Sequence, residues 1–273
     1  MSTVRQETAG TANRCAELPE PWRSADVAVV LPTYQEAENL PAVVGALMDL
    51  PLPGLRVLVV DDNSPDGTGQ VAEKLAAHYG RHRIGVVHRQ AKEGLGRAYL
   101  DGMTRVIQAG AQFVVQMDAD LSHGPQYLPG MLGTLLAAEA DVVIGSRYVA
   151  GASTDSRWPW HRRVLSAFAN AYVRVLLRLG VRDVTAGYKM WRAPALEAVG
   201  LGNVRSSGYS FQVEMNYRAA LAGLKTVELP VHFAQREAGE SKMSLRVQLE
   251  SAVMPFRLRR YARQRDAAKE YGQ

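Results

Sequence analysis

Apolar runs that do not alternate set the narrowest limit on what this chain can fold into. Residues 27–31 (VAVVL), 56–60 (RVLVV), 84–88 (IGVVH), 112–117 (QFVVQM) and 142–145 (VVIG) are strand-length and mostly apolar. An antiparallel strand with one wet face reads apolar, polar, apolar. A run without that alternation belongs to a strand covered on both faces. Helical patterns lie between the runs. Residues 36–49 put Leu40, Val43, Val44 and Leu47 on one stripe. A second helix is expected after the turn formers at 61–68 (DDNSPDGT), reaching about His78, and a third over 94–109. Such alternation predicts an α/β fold, a doubly wound and mostly parallel sheet with helices on both faces, in a single domain over 26–250. Residues 1–25 lack the apolar centre of a signal peptide and read as a disordered tail. Residues 251–273 read as a basic amphipathic segment.

Ligands of doubly wound sheets sit beyond the carboxyl ends of the strands. The polar residues of this chain fall there: Tyr34 and Glu36, Asp61 and Asp62, then Asp118 and Asp120. On its own, Asp118-Ala119-Asp120 fits a surface loop with two capping aspartates. It fits equally a hard divalent cation, Mg²⁺ or Mn²⁺, shared between carboxylates and a substrate diphosphate. Such an ion would supply the positive charge that makes two neighbouring carboxylates tolerable.

Several other chemistries are excluded. One cysteine, Cys15, allows neither an internal disulfide nor a cysteine zinc site, and a reducing compartment is the simpler expectation. His78 and His82 have i,i+4 spacing, but Gly80 lies between them and no third ligand follows. Gly94-Leu95-Gly96 is a weak dinucleotide signal, because Tyr99 occupies the third glycine position. No Walker A sequence and no Gly-x-Ser-x-Gly elbow occurs. No apolar run approaches the ~20 residues that span a bilayer. The net charge of +5 is carried by residues 242–273, which hold eight Lys/Arg and three Asp/Glu. The folded body is therefore balanced, which argues against nucleic acid as a partner.

Eight blocks in order carry a family resemblance: LPTYQEAENLP (31–41), VVDDNSPDGT (59–68), EGLGRAYLDGM (93–103), MDADLSH (117–123), GSRY (145–148), DVTAGYKMWR (183–192), SSGYSFQVEM (206–215) and REAGESKMS (236–244). Over about residues 26–250 the chain resembles family 2 glycosyltransferases of the GT-A fold. Within them it is similar to the polyprenyl-phosphate (dolichyl-phosphate) mannose synthases. The resemblance implies metal-dependent transfer of mannose from GDP-mannose to the phosphate of a polyprenyl monophosphate, with inversion. Neighbouring readings are another donor such as UDP-glucose, a soluble natural-product acceptor, or a non-catalytic nucleotide-sugar binding module.

The resemblance also implies residue roles. Pro32, Tyr34 and Glu36 match the block that frames the guanosine, and Val60 and Asp62 match positions lining the nucleoside. Asp118, Ala119 and Asp120 match the metal and diphosphate block, where some relatives carry Gln at the position of Ser122. Arg147 matches an arginine near the transferring phosphate. Arg162, or its neighbour Arg163, matches one that holds the lipid phosphate. Lys189 matches a basic position of the donor site. Arg236 and Lys242 match a basic pair on a loop that bends at Gly239 and covers the nucleotide. Gln212 and Glu214 fall near the acceptor side, or serve only as helix polarity. A phosphate monoester is already anionic near neutral pH, so no dedicated base is expected. A lipid acceptor implies a peripheral enzyme at the cytoplasmic face of a membrane. Residues 253–265 (VMPFRLRRYARQR), or a membrane partner protein, would do the docking.

Overall fold

The computed structural model describes residues 20–155, 160–206, 208–234 and 253–260, without the side chains of His161, Arg162 and Tyr209. Seven strands form one sheet: β1 (Val27–Thr33), β2 (Leu55–Asp61), β3 (Ile84–His88), β4 (Phe113–Gln116), β5 (Val142–Ser146), and, after β6 (Ser153–Thr154), β7 (Lys189–Arg192) and β8 (Thr226–Pro230). Their order across the sheet is β3-β2-β1-β4-β7-β5-β8. A two-stranded sheet pairs β6 with β9 (His232–Phe233). The helices are α1 (Leu40–Met48), α2 (Thr68–Tyr79), α3 (Leu95–Gln108), α4 (Leu128–Ala137), α5 (Trp160–Leu177), α6 (Ala193–Val199) and α7 (Tyr209–Leu221).

The continuous runs are buried on both faces, as expected of a doubly wound sheet. Val27, Val29 and Leu31 of β1 join one cluster with α1, α2 and α4. Ala28 and Val30 join another with α3, α6 and α7. Gly102 lets α3 approach closely, because a Cβ there would lie 2.4 Å from Val30 and 3.0 Å from Val60. Pro32 is tolerated in a central strand because β4 pairs with β1 only as far as Val30, leaving Pro32 beside Val60 of β2 alone.

Three features differ from the sequence reading. α1 starts at Leu40 rather than at residue 36, because Pro41 carries no N–H and clashes with a preceding turn, so it fits only the first turn of a helix. β7 runs antiparallel between β4 and β5, interrupting the parallel order. In residues 253–260, which are helical, Met254 and Leu258 face inward, while Val253 and Phe256 are exposed. In agreement with the sequence reading, α2 ends at Tyr79, so His82 lies beyond the helix and the i,i+4 pair is not formed.

Candidate active site

The parallel neighbours β2, β1 and β4 end side by side, and their loops converge beyond the carboxyl edge. Each loop holds a non-glycine residue in the left-handed region: Gln35 (φ 60°), Asn63 (φ 57°) and Leu121 (φ 63°). Such residues cost free energy and persist where the surroundings over-determine them. Three at three adjacent strand ends mark this edge as the place where geometry is held against local preference.

Asp118 and Asp120 follow β4. The Tyr99 hydroxyl of α3 donates to Asp118 Oδ1 at 2.7 Å, and the Asp118 N–H donates to His123 Nδ1 at 3.0 Å. Burial pushes the Tyr99 hydroxyl well up from its ordinary value and the neighbouring carboxylates push it further, so Tyr99 stays a donor. Asp120 Oδ1 accepts from the Ser122 N–H (3.1 Å) and hydroxyl (2.5 Å). Ser122 therefore orients Asp120. Asp118 Oδ2 faces Gly187, and a Cβ at Gly187 would lie 3.5 Å from Asp118 Oδ2, 3.3 Å from His123 Cε1 and 3.5 Å from Gln212 Nε2. Gln212 Nε2 is buried and has no hydrogen-bond partner among the described residues. The missing Cβ leaves room for a ligand oxygen, and the unpaired N–H group supplies a donor for it.

No group of three His, Cys, Asp or Glu side chains suited to a metal occurs among the described residues. Two carboxylates remain, and that donor set fits Mg²⁺ or Mn²⁺, which complete their shells with water and substrate phosphate oxygens.

At the β2 end, Asp62 is buried against Arg89, which also meets Glu93. Burial raises the Asp62 carboxyl above its ordinary range, with the Arg89 contacts opposing the shift. Asp61 is held by Thr33 and Ser64. At the β1 end, the Glu36 N–H donates to Thr68 Oγ1 at 3.0 Å and Glu36 accepts from Asn39 at 2.8 Å. The Lys92 ammonium sits 3.5 Å from the Tyr34 ring centroid. Tyr34, Glu36 and Asp62 thus lie in the loops at the neighbouring ends of β1 and β2, while Pro32, Val60 and Ala119 are buried.

Arg147 follows β5. Its Nε and Nη2 form a two-pronged pair with Asp183 at 2.8 Å each, its N–H donates to Asp183 Oδ2 at 2.9 Å, and Nη2 also donates to Thr185 at 2.7 Å. Burial raises the fully buried Asp183, but Arg147 outweighs it and holds the carboxyl below its usual range. The Phe233 ring lies 5.3 Å from the Arg147 guanidinium and 5.6 Å from the His123 ring. Arg147 and the Asp118 loop therefore share a neighbourhood. Lys189 is fully buried, and its Nζ donates to Gln212 Oε1 at 2.7 Å. Desolvation lowers Lys189 to about 7, against the pull of Asp183 and Asp118. Glu214 points elsewhere, binding the N–H groups of Arg205 and Ser206 and pairing with Arg218 at 2.8 Å, so it staples a loop to α7.

Arg162 lies in the first turn of α5, its side chain outside the described residues; Arg163 is exposed and donates to Asp155 O at 2.9 Å. Arg236, Gly239 and Lys242 also lie outside the described residues. The chain leaves the described part at Ala234, whose N–H donates to Ser122 O at 3.3 Å. Sequence reasoning did not find Arg89, His123, Asp183 or Gly187. Three of these lie in or at the edge of quoted blocks; Arg89, Asp183 and Gly187 act through partners distant in sequence, and His123 through Asp118 of its own block.

The model of the family described as "Glycosyl transferase family 2" matches residues 28–200. The chain belongs to that family. As a family 2 glycosyltransferase it is 48% identical over 216 residues to the polyprenol monophosphomannose synthase of Mycolicibacterium smegmatis, covering 79% of this chain and 80% of that one. It is 45% identical over 218 residues to the undecaprenyl-phosphate mannosyltransferase of Micrococcus luteus, covering 80% and 87%. Among solved structures it resembles mannosyl-3-phosphoglycerate synthase from Rubrobacter xylanophilus (TM-score 0.60, 19% identity, 89% and 76% covered). It also resembles glucosyl-3-phosphoglycerate synthase from Mycobacterium tuberculosis in complex with Mn²⁺, UDP and glucosyl-3-phosphoglycerate (TM-score 0.59, 17% identity, 87% and 80% covered). These neighbours establish the GT-A architecture.

Proposed function

We propose that this glycosyltransferase moves mannose from GDP-mannose to the phosphate of a polyprenyl monophosphate, inverting the anomeric carbon. The two mannosyltransferase relatives, at 45–48% identity over most of their length, support the sugar and the acceptor class. The observation that carries the chemistry is the juxtaposition, through Phe233, of the Asp118 loop with the Arg147–Asp183 pair. One side suits a diphosphate with its cation, the other a second anion.

In this reading Tyr34, Glu36 and Asp62 receive the nucleoside, with Pro32, Val60 and Ala119 as its fixed backing. Asp118 and Asp120 would hold a divalent cation, Mg²⁺ or Mn²⁺, which would supply positive charge to offset that of the GDP leaving group. Tyr99 and Ser122 fix those carboxylates, and His123 holds the Asp118 backbone N–H, before substrate arrives, so little reorganisation is needed during transfer. Lys189 orients Gln212, whose Nε2 offers a hydrogen bond beside Gly187. Arg147, with Arg162 or Arg163, brings the acceptor phosphate to the anomeric carbon, and Asp183 keeps Arg147 extended. Arg236 and Lys242, which match the family's basic pair, would add positive charge at the diphosphate. The acceptor oxygen attacks as an anion, so no side chain must take a proton. Consistent with this, of the buried acids outside the Asp118 loop, Asp62, Asp183 and Glu214 are each paired with an arginine and Asp61 accepts from Thr33 and Ser64.

No helix among the described residues is long and apolar enough to cross a membrane. A lipid-phosphate acceptor nonetheless requires work at a bilayer, and we assign the enzyme a peripheral place at its cytoplasmic face, directly or through a membrane partner protein. The test is transfer of label from GDP-mannose to a short-chain polyprenyl phosphate, followed by extraction of product into organic solvent. Preference for UDP-glucose, or label that stays in water, would refute this function.

A further inference from the structure

Helix α5 is apolar on two opposite sides. Its inner side carries Val173 and Leu177, buried with Val184, Val213, Met254 and Leu258. Its outer side carries Trp160, Val164, Phe168 and Val175, at spacings of four, four and seven residues. At about 100° per residue these form one stripe, roughly 22 Å long. Trp160 is 76% exposed, Phe168 68% and Val175 74%. Helical residues 253–260 repeat the arrangement, with Val253 and Phe256 exposed above the buried Met254 and Leu258. Seven of the eight large apolar side chains exposed among the described residues lie on these two packed segments, the other being Leu221. Apolar exposure that is gathered rather than scattered marks a surface with an occupant.

Charge narrows the occupant. Neither α5 nor residues 253–260 contain an Asp or Glu, while Arg163, Arg174, Arg257 and Arg260 are exposed on them. A second copy meeting the same face would oppose like charges. An anionic bilayer would receive the stripe among its acyl chains and the arginines among its phosphates. We propose that the outer face of α5, continued by residues 253–260, is the surface that docks the enzyme on anionic membrane. The proposal deepens the lipid-acceptor reading and rests on it for its purpose. It places the first turn of α5, with Arg162 and Arg163, at headgroup depth, where an acceptor phosphate would lie.

The test uses the full chain and co-sedimentation with phosphatidylglycerol/phosphatidylcholine vesicles. Wild type should bind, and bind less as salt rises or when phosphatidylcholine is used alone. The double variant Val164→Glu/Phe168→Glu should bind at least tenfold more weakly, and Val175→Asp, near the far end of the stripe, should weaken binding too. Both changes are on exposed side chains, so the melting temperature should stay near wild type. The double variant should keep wild-type transfer to a short-chain acceptor in solution, yet lose at least tenfold on a long-chain acceptor embedded in vesicles. Binding of both variants equal to wild type overturns the proposal. So does a wild type that ignores vesicles, or one that forms a dimer which the double variant dissociates. Wild type that fails to use the short-chain acceptor refutes the substrate reading instead, and the vesicle measurement judges the docking face separately.

Discussion

Removing the Arg147 side chain should do two separable things, and the structure gives the size of the first. Asp183 is fully buried, and three of its hydrogen bonds come from Arg147, two of them from the guanidinium. Arg147→Met takes away those two and leaves a carboxylate in the interior with the Arg147 N–H and Thr185 for company. Breaking one partner out of a buried pair costs about 3–5 kcal/mol, which in a domain of this size lowers the melting temperature by about 6–20 °C. The pH dependence should also change sign. In wild type the depressed Asp183 titration contributes stability above its unfolded value, and that contribution disappears as pH falls through the folded one. Without the guanidinium, burial is opposed only by the backbone N–H of residue 147 and by Thr185, and should raise Asp183. The variant should then lose stability relative to wild type as pH rises through and above the ordinary carboxylate range. Arg147→Met/Asp183→Asn removes the stranded charge and should recover much of the melting temperature. Any remaining loss of activity in that double variant, seen as a raised acceptor KM with unchanged GDP affinity, measures the role of Arg147 at the acceptor. Thermal melts from pH 4 to 9 decide the first part. Equal melting temperatures for wild type and Arg147→Met at pH 7, or parallel pH profiles, would refute the reasoning.

Asp120→Ala should reduce transfer by roughly a thousandfold, several kcal/mol of lost charge stabilisation, with the melting temperature shifted by only a few degrees; full activity in excess Mn²⁺ would count against cation-dependent chemistry. Gly187→Val should raise the donor KM roughly tenfold, as expected for about 1.4 kcal/mol of lost binding, because its side chain occupies the space between Asp118, His123 and Gln212. Steady-state kinetics check this, and an unchanged KM means no substrate atom enters there. Lys189, lowered by burial to about 7 in the folded chain, binds fewer protons than in the unfolded chain between about pH 7 and 10. Wild type should therefore gain stability over that window relative to Lys189→Met, by an amount on the order of a few kcal/mol; a constant difference between the two denaturation curves contradicts the burial argument.

The half of the sheet that precedes Ser146 is legible in the sequence because both faces of β1, β2 and β4 are covered, which makes apolar runs continuous. The acidic strand ends are legible too, since nothing apolar competes with them. Where legibility fails, a partner far along the chain decides. Lys-Met-Trp-Arg at 189–192 does not look like a central strand, yet it is one. Lys189 is accepted by Gln212, and Arg192 donates to the carbonyls of Ala140 and Leu135. Helix α5 has no clean single stripe because it is apolar on both sides. Arg147 reads as a phosphate ligand by its block, and only the fold shows Asp183, 36 residues on, gripping it.

The antiparallel insertion of β7 has a consequence for how the chain is made. β5 has two neighbours in the sheet, β7 and β8, and both come later in sequence. A ribosome adding about 5–20 residues per second needs roughly 2–9 s to extend from Ser146 through Arg192. During that interval the Val-Val-Ile run of β5 and the outer edge of β4 have no strand to meet, while β1, β2 and β3 can already associate. Unpaired strand edges of this kind are where nascent chains adhere to one another. The enzyme's yield in cells should accordingly be governed by this window of synthesis, and slowing translation within residues 147–188 should send more of the chain to holding chaperones than slowing it before residue 140.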